Sequence, residues 1–417
     1  MKLLLTFTLS IITLAARLNA ANEKSPSAVS LDKLVTQALA ENPELKFYEV
    51  EIAVAKGERK AAGTWANPEI SGEVGRKRVR GDISAEGTAW AVSVQQTFEW
   101  PGRMSLRKAI ADHSVQLAKA GLEQFRAALA AEVRRKGYAL FAAQRREAAA
   151  AEVAVRGEEL VATLVQREPA GVTPLLETRA IEASVIKLRR AASEAAQQAM
   201  EAGFELNQLR GRAIGESIII ADVTPTFSEL PSVKELIRRA AHGNFELRQR
   251  EIELAQQGFK VCLSENEAWP SIKAGPQFSQ EKAHDTETRA GVGISIPLPL
   301  WNRNTGNIEA AKGRELQAQT SLSLAQRGVE RKLREHAASY ALHRKEMERW
   351  NPKVAEQLRE AATLADRHYR LGAVPLATYL EVQSSYLDAL QAIYATQADA
   401  LTALAEIELL TGTKLTK

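Results

Sequence analysis

Two periodicities divide this chain into strand-like and helix-like segments. Most of it repeats apolar residues every three or four positions, which is the helical period. Four short segments instead alternate with period two, carrying apolar residues at even positions and small or polar residues at odd positions: 69–74, 90–100, 271–279 and 289–298. Trp90, Val92 and Val94 are apolar, for example, while Ser93 and Gln95 between and beside them are polar. The pattern predicts four strands, each with one apolar and one polar face.

The same order of elements occurs twice, about 200 residues apart. Four pairs of segments carry the repeat: Asn42–Leu45 with Asn244–Leu247, Arg103 with Arg303, Gly171–Leu175 with Gly372–Leu376, and Leu209–Gly211 with Leu410–Gly412. Each copy predicts a helix, two strands, a very long helix and a return helix. A single repeat of this length indicates a tandem duplication and excludes a solenoid of short repeats.

The predicted organisation follows from these boundaries. We expect a signal peptide at 1–21, a first structural repeat at 22–211 with a β-hairpin at 67–100, a linker at 212–231, and a second repeat at 232–417 with a hairpin at 269–300. The predicted long helices cover 103–168 and 303–371, and the return helices cover 174–210 and 375–411. Pro43 should divide the helix that starts after Ser30, and Asn351-Pro352 should kink only the second long helix.

The N-terminus has the features of a secretory leader. Lys2 precedes an apolar core, Leu3 to Leu14, which is shorter than the ~20 residues that a spanning helix needs, so a retained anchor is the disfavoured alternative. Cleavage of the leader would remove Lys2 and Arg17 and lower the formal charge of +4 by two, so the mature chain is expected to be nearly neutral. Cys262 is the only cysteine, which excludes an internal disulfide, and we expect it to be a small buried apolar residue.

The four strands have two interpretations. A soluble sheet with one wet face gives the same alternation as membrane strands. A lone hairpin is marginal in water, and no further strand is predicted that could complete a sandwich. Four strands are also too few to close a barrel around a lumen. Closure would need several chains, and a trimer would supply twelve strands. The odd faces would then line the lumen and the even faces would meet lipid, with Trp90 and Trp100 as membrane-interface aromatics.

Three segments resemble a known family. Phe98–Arg103, Pro297–Asn304 and Tyr369–Leu376 are similar to segments of the TolC-like outer-membrane efflux proteins, and the first two resemble the heavy-metal (cobalt-zinc-cadmium resistance) branch. The resemblance implies a mainly α fold with a small β part. Duplicated long-helix hairpins would form an α-helical barrel of coiled-coil character, and the four strands would enter a trimeric 12-stranded transmembrane β-barrel.

The resemblance also implies a location and partners. The chain would be a homotrimer in the outer membrane of a Gram-negative cell, among its lipids, and would extend into the periplasm. It would work with a periplasmic adaptor protein and an inner-membrane resistance-nodulation-division pump, as a passive exit duct for heavy-metal cations. Efflux of organic toxins or drugs, type I secretion, and a periplasmic coiled-coil adaptor or scaffold are the alternatives.

Two groups of site residues follow from the resemblance. The tips that contact the adaptor would be Gly171, Val172, Thr173 and Pro174 in the first repeat, and Gly372, Ala373, Val374 and Pro375 in the second. The pore-gate candidates are Thr378, Glu381 and Glu177. Because Thr378 occupies one of the two acidic positions of the family pattern, a gate of two acidic rings is in doubt. Three copies of Glu381 would favour cations, whereas a solvated carboxylate on the outer face is the equal alternative.

No motif predicts catalysis or a bound cofactor. The sequence shows no phosphate-binding loop, no nucleophile elbow and no cluster with metal-ligand spacing, so we predict no enzyme, no cofactor and no metal site. His336 and His343 are about 10 Å apart along a helix, too far to share one ion. The basic run 76–80 could anchor against lipopolysaccharide phosphates or form an ordinary solvated loop, and a nearly neutral exported chain excludes a nucleic-acid role.

Overall fold

A computed structural model describes residues 28–80, 85–167, 175–223, 225–350 and 353–415, with the backbone alone at 164–167 and 175–177. The first half of this part of the chain contains α1 (Leu31–Glu41), α2 (Glu44–Ala62), β1 (Glu69–Val79), β2 (Ala85–Phe98), α3 (Arg103–Arg167) and α4 (Leu175–Arg210). The second half contains α5 (Val233–Gly243), α6 (Phe245–Asn266), β3 (Ile272–Lys282), β4 (Thr286–Ser295), α7 (Thr305–Met347), α8 (Val354–Arg370) and α9 (Leu376–Thr411). The fold is mainly helical with one small sheet, which confirms the predicted fold class.

Local capping residues set the ends of the first helices. The Ser30 hydroxyl accepts from the Lys33 amide at 3.4 Å, so α1 begins at Leu31 as predicted. Pro43 separates α1 from α2, which confirms the predicted division. Phe245, which corresponds to Pro43 in the repeat, is the first residue of α6, so proline is not required for this break. There the Asn244 side chain accepts from the Leu247 amide at 2.9 Å and starts the new helix.

The two halves use the same tie between their first and last helices. Asn42 donates its side-chain amide to the Leu209 carbonyl, and Asn244 donates to the Leu410 carbonyl, each at 2.8 Å. The return helices α4 and α9 then end at Gly211 (φ 66°) and Gly412 (φ 64°). A Cβ at Gly412 would stand 2.2 Å from the Gly243 carbonyl oxygen, so both the backbone angle and the close approach require glycine.

Each half has its own apolar core. Leu34 of α1, Val133 of α3 and Leu206 of α4 are fully buried in the first core. Leu236 of α5, Leu333 of α7 and Ile407 of α9 hold the equivalent places in the second core. Burial of such a side chain stabilises the fold by about 1.5–3 kcal/mol. The matching cores show that the duplication seen in the sequence is a duplication of packing.

The four strands form one antiparallel sheet in the order β1-β2-β3-β4. The central pair, β2 and β3, joins the two halves of the chain, with Val92 opposite Phe278. The outer strands β1 and β4 each pair on one side only within the described residues. The sheet is therefore open at both edges.

Two expectations for the second half meet different outcomes. Cys262 is exposed, which corrects the expectation that it is buried. The neighbouring Val261 is the buried residue, because α6 turns about 100° per residue and only one of two neighbours can face the packed side. The second long helix is divided into α7 and α8, as predicted, whereas α3 is continuous over 65 residues, about 100 Å. Asn351 and Pro352 themselves lie outside the described residues.

Candidate functional site

One face of the sheet is apolar and uncovered. The register pairs even positions with even positions, such as Val74 with Trp90 and Ala274 with Ile294, so all even side chains lie on the same face. Val74 is 90% exposed and Ile294 is 69% exposed. A contiguous apolar face of this kind marks a surface that meets lipid or a partner rather than water.

The odd face of the same sheet is polar and its charges are paired across strands. Lys273 on β3 contacts Glu69 on β1 at 2.8 Å, and Lys77 on β1 contacts Glu281 on β3 at 2.9 Å. The Ser71 and Ser93 hydroxyls lie 2.8 Å apart between them. The face is hydrophilic with little net charge, as the lining of a wet passage requires.

The two candidate interface tryptophans lie at different places. Trp90 lies within β2 on the apolar face, where its ring is 5.4 Å from that of Phe278. Trp100 follows the end of β2, and its ring stacks on Trp269 at 4.9 Å and 11°. The tandem of Trp100 and Trp269 therefore belongs to the junction between the sheet and the helices. The role of Trp90 and Trp100 at a membrane interface stays a prediction.

Arg103 joins the two halves at this junction. Its guanidinium donates to the Asn266 side chain at 3.0 Å, the Asn266 carbonyl at 3.0 Å, the Trp269 carbonyl at 2.7 Å and the Ser271 hydroxyl at 2.8 Å. Arg103 is only 9% exposed. The start of α3 is thus fixed to the loop between α6 and β3. The sequence placed Arg103 in the repeat but showed no signal for these partners.

The basic run at the outer end of β1 is partly neutralised within the chain. Lys77 lies 3.3 Å from Glu287 in addition to Glu281, and Arg78 pairs with Glu86. Arg76 and Arg80 are exposed. Both interpretations of this run, phosphate anchoring and a solvated loop, stay open.

The opposite end of the molecule carries the tip between α8 and α9. Gly372 has φ 72° and its amide donates to the Tyr369 carbonyl at 2.9 Å, while the Ala373 amide donates to the His368 carbonyl at 2.8 Å. These two bonds close the tight turn that the sequence predicted at Gly372. Gly372, Ala373 and Pro375 are exposed and Val374 is half-buried. The matching tip, Gly171, Val172, Thr173 and Pro174, lies outside the described residues.

The gate candidates lie on α9 just beyond this turn. Thr378 and Glu381 are both exposed on one flank, and Asp388 continues that flank one heptad further along. Neither Glu381 nor Asp388 bonds to another side chain of the described residues. Asp388 is not among the gate candidates predicted from the sequence, although its spacing from Glu381 places both on one helix face. The side chain of Glu177 is outside the described part.

Charged pairs tie α8 to α3 behind the tip. Glu152 of α3 contacts Arg359 of α8 at 3.1 Å, and Glu159 of α3 contacts Arg370 of α8 at 3.3 Å. Arg370 also donates to the Asp366 carboxylate at 2.9 Å, and this hydrogen bond raises the pKa of the Arg370 guanidinium. This set of contacts, Glu152, Glu159, Arg359, Asp366 and Arg370, is called the α3–α8 ladder below. It is the main polar link that could hold or release α8.

Tyr379 lies in the packed layer under the ladder. It is 1% exposed, and its ring stacks on Tyr369 at 5.4 Å and 23°. Burial raises the pKa of the Tyr379 hydroxyl to about 12. That hydroxyl has no hydrogen-bond partner among the described residues. Tyr379 therefore holds the start of α9 by packing of its ring, and one turn further on the buried Gln383 side chain donates to the Ala362 carbonyl of α8 at 2.7 Å.

The described residues contain neither a membrane-spanning helix nor a metal-binding cluster. No helix there combines the length and the apolar composition that crossing a membrane demands. No group of three or more histidine, cysteine, aspartate or glutamate residues in the described ranges comes together as a metal-binding cluster. His343 lies 4.0 Å from Glu346, and the pair is isolated.

Comparisons with known proteins agree with this architecture. The sequence profile of the outer membrane efflux protein family matches residues 34–212 and 236–413. The cobalt-zinc-cadmium resistance protein CzcC of Cupriavidus metallidurans is 25% identical over 293 residues, which cover 68% of this chain and 66% of that protein. The aligned part thus spans just under two thirds of the relative.

Solved structures share the fold at low identity. A membrane protein from Pseudomonas aeruginosa has a TM-score of 0.74 at 20% identity, covering 94% of this chain and 92% of its own. The Campylobacter jejuni CmeC outer membrane channel has a TM-score of 0.72 at 14% identity, covering 93% and 87%. These likenesses concern the fold alone. The profile match is a match to a transport family rather than to an enzyme family, and it includes both halves of the duplication. This chain belongs to the outer membrane efflux protein family.

Proposed function

We propose that the chain is one subunit of a trimeric outer-membrane channel that serves as the exit duct of a tripartite efflux pump. The observation that carries the proposal is the four-stranded sheet, which is open at β1 and β4 and apolar on one face. Four strands cannot close around a lumen, whereas three copies supply twelve. Pairing β1 of one copy with β4 of the next would remove both open edges.

The helices extend the duct away from the membrane. An α3 of about 100 Å is longer than a compact domain can hold, and it would reach through the periplasm. The turns at 171–174 and 372–375 would then be the parts farthest from the membrane. We assign them the contact with a periplasmic adaptor, which would connect the duct to a resistance-nodulation-division pump in the inner membrane.

Heavy-metal cations are the proposed cargo. The support is the similarity to CzcC, which is named for cobalt, zinc and cadmium resistance. A passive duct needs no tight site for the ion, because an ion must leave as readily as it enters. The paired charges on the odd face of the sheet meet that requirement.

The narrow point of the duct would be at the start of α9. Three copies of Glu381 would form a ring of negative charge, with Thr378 one turn nearer the tip and Asp388 one heptad farther along. Such a ring would attract cations and repel anions. Opening would move α8 and α9 away from α3, which breaks the α3–α8 ladder.

The cargo is tested by deleting the gene and measuring growth on cobalt, zinc and cadmium beside a panel of organic toxins. We expect greater sensitivity to the metals, restored by the full-length chain supplied in trans. Unchanged metal tolerance together with sensitivity to organic compounds alone would refute the metal assignment and support the alternative of drug efflux.

Location and assembly are tested separately from cargo. We expect the chain in the outer-membrane fraction and, after detergent extraction, at the mass of a trimer by light scattering. Recovery in the soluble periplasmic fraction would instead support a periplasmic scaffold or adaptor. A monodisperse monomer in detergent would contradict barrel closure by three copies.

The gate is tested by Glu381→Gln in planar bilayers. If Glu381 faces the pore, the reversal potential in a salt gradient should shift toward that of an unselective channel, because the ring loses three charges. Glu58→Gln on α2 is the matched control, since it makes the same change of charge far from the tip. Equal reversal potentials for the wild-type chain and Glu381→Gln would place Glu381 on the outer face.

A further inference from the structure

One flank of α2 carries apolar side chains that no other part of the described chain covers. Phe47 is 69% exposed, Val50 is 53% exposed and Val54 is 55% exposed, and their spacing aligns them on one helix face. These three residues are called the α2 stripe. The opposite flank of α2 is packed, because Tyr48 stacks on Phe125 of α3 at 4.6 Å. The α2 stripe is therefore a second, uncovered packing face.

α7 also has one covered and one uncovered flank. Its covered flank contacts α6, where Lys312 lies 3.3 Å from Glu265. Its other flank leaves Leu324 62% exposed, and Arg303 just before the helix is exposed with no bond to any described residue. In the first half, α3 has no such free flank, because it packs on α2 at one side and on α6 at the other.

The α3–α6 contact shows how this face is covered inside the chain. Gln249 of α6 donates to Gln124 of α3 at 2.9 Å, and the buried Gln256 donates to the Ser114 hydroxyl at 2.8 Å. At the end of the contact, Arg103 holds the segment from Asn266 to Ser271. This set of contacts is called the α3–α6 seam.

Because the chain is duplicated, each residue of the α3–α6 seam has an equivalent on α7 or α2. α3 corresponds to α7, with Ala111 and Ala311 buried at equivalent positions, and α6 corresponds to α2 through the capping residues Asn244 and Asn42. The equivalent of Gln249 is then Phe47, and that of Gln124 is Leu324. A polar pair inside the chain becomes an apolar pair, and both of its members are exposed.

We propose that the α2 stripe is covered by α7 of a second copy of this chain, in the register of the α3–α6 seam. The proposal rests on the trimer proposed above and specifies its contacts. Phe47 would pack on Leu324 of the partner subunit. The Arg303 of one copy would bind the partner at the equivalents of Asn266, Trp269 and Ser271, which are Thr64, Asn67 and Glu69.

The partner site for Arg303 is more acidic than its template. Ser271 in the template is replaced by Glu69, whose carboxylate is 62% exposed while it contacts Lys273 at 2.8 Å. A carboxylate can accept from two cations at once, so Arg303 could bind without displacing Lys273. The interface would thus gain a charged contact that the intrachain seam lacks.

The contact between α3 and α9 can be mapped onto the other repeat in the same way. The equivalent residues there are a pair of opposite charges. Arg146 of α3 donates to Gln391 of α9 at 3.1 Å. The equivalent of Arg146 is Glu346 on α7, and the equivalent of Gln391 is Arg190 on α4, where Val185 and Tyr386 are buried at matching positions of α4 and α9. The Arg190 side chain is 80% exposed and that of Glu346 is 50% exposed. A second copy in the same register would bring these opposite charges together.

Cross-linking tests the register. In a Cys262→Ser background, the double variant Phe47→Cys, Leu324→Cys is purified as the full chain in detergent and treated with a short bis-maleimide. We expect covalent dimers and trimers on a denaturing gel. The matched control is Phe47→Cys with Leu316→Cys, because Leu316 is 63% exposed on the same helix but about 12 Å away and on another face. It should give at most a small fraction of the cross-linked product.

Light scattering on the same samples separates this register from the trimer itself. A trimer without the cross-link from residue 47 to residue 324, or with equal cross-linking in the control, would overturn the register and leave the trimeric channel standing. A monomer in every variant, including the Cys262→Ser background, would overturn both proposals.

Charge exchange supplies an independent test. Arg190→Glu and Glu346→Arg should each lower the temperature at which the trimer dissociates in detergent, and the double variant should restore most of the loss. Single variants that match the background, or a double variant worse than either single one, would contradict the pairing of α4 with α7 of the partner. Circular dichroism of each variant confirms that the helices are intact.

Discussion

Arg103 shows how one side chain can join two repeats. Its guanidinium reaches two carbonyl oxygens, one amide oxygen and one hydroxyl from the loop that starts the second hairpin. A planar group with five donors can make all these contacts in one rotamer, which lysine cannot. Because the group is buried, each lost contact would leave an oxygen without a donor.

Arg103→Ala should therefore destabilise the chain strongly. Hydrogen bonds to a charged group contribute about 1.5–3 kcal/mol, so a loss of ~3 kcal/mol or more is expected. The thermal midpoint in detergent measures it. Arg107→Ala is the control, because Arg107 makes one pair, with Glu99 at 2.6 Å, and should cost under about 1 kcal/mol. Equal midpoints for the two variants would contradict the role given to Arg103.

Tyr379 predicts an alkaline transition at the tip. Its pKa is raised from 10.0 to about 12, so the folded chain holds the proton that the unfolded chain releases. The contribution is complete below about pH 10 and is lost as the pH rises through about 12, with a size of about 3 kcal/mol. Titration of tyrosinate absorbance together with circular dichroism should show this late component.

Tyr379→Phe should lower the amplitude of that component by one tyrosine and leave the tip folded. A late component remains, because burial also raises the pKa of Tyr138, Tyr340, Tyr386 and Tyr394. At neutral pH the variant should gain about 1 kcal/mol, because the buried hydroxyl has no partner among the described residues. Tyr48→Phe, which removes a half-buried tyrosine from α2, should keep the late component. If the late component kept its full amplitude in Tyr379→Phe, its assignment to Tyr379 would be wrong.

At the scale of elements, the two long arms differ in how they are built. α3 is continuous, whereas its counterpart is divided into α7 and α8. The short α8 is attached to α3 by the ladder and to α9 by packing around Tyr369 and Tyr379. A separate helix with a few exposed charge pairs costs less to displace than a continuous one. Movement should therefore occur in α8 and α9 rather than in α3 and α4.

Arg370→Ala should favour the open channel. Arg370 contacts both Asp366 and Glu159, but its side chain is 33% exposed, so solvent limits its contribution to about 1 kcal/mol per chain. Single-channel recordings should show a severalfold higher open fraction. Arg334→Ala, whose pair with Glu330 lies within one helix, should behave as the wild-type chain does. A closed Arg370→Ala channel would argue against the ladder as the restraint.

The elements show where sequence reasoning was sufficient. Ser30, Pro43 and Gly372 act on neighbours a few residues away, so the ends of α1, α2 and α8 could be read locally. Cys262 was misjudged because an apolar run does not say which of two adjacent residues faces the packed side. Asp388 was missed because it becomes a gate candidate only when the structure shows that it shares an exposed flank with Glu381. The ladder joins residues about 200 positions apart, which no local pattern indicates.

At the scale of the molecule, the described residues leave two kinds of surface uncovered. The sheet has two open edges, and its even face is apolar. The α2 stripe and the free flank of α7 lie on opposite sides of the same helical layer, since α2, α3, α6 and α7 contact one another in that order. The helical layer is free at both ends and the sheet is open at both edges. One rotation axis that relates several copies of the chain could close both of them into rings.

The apolar face of the sheet gives a test at this scale. Val92→Lys places a charge in the middle of that face, opposite Phe278, where lipid contact would cost about 2–4 kcal/mol per chain. We expect much less of this variant in the outer-membrane fraction. Ala91→Lys, one residue away on the polar face and opposite Glu73, should assemble normally. Equal assembly of the two variants would show that the even face does not meet lipid.

The sequence by itself determined the periods, the ends of most elements, the duplication and the two faces of each strand, because all of these depend on residues close together in the chain or on direct repetition. Only the tertiary structure decided that β2 pairs with β3, that Arg103 reaches the second hairpin, and that α8 is attached to α3 by charges. Those choices join residues more than 150 positions apart. Such pairings follow from the geometry of packed helices and a shared sheet, and not from local pattern.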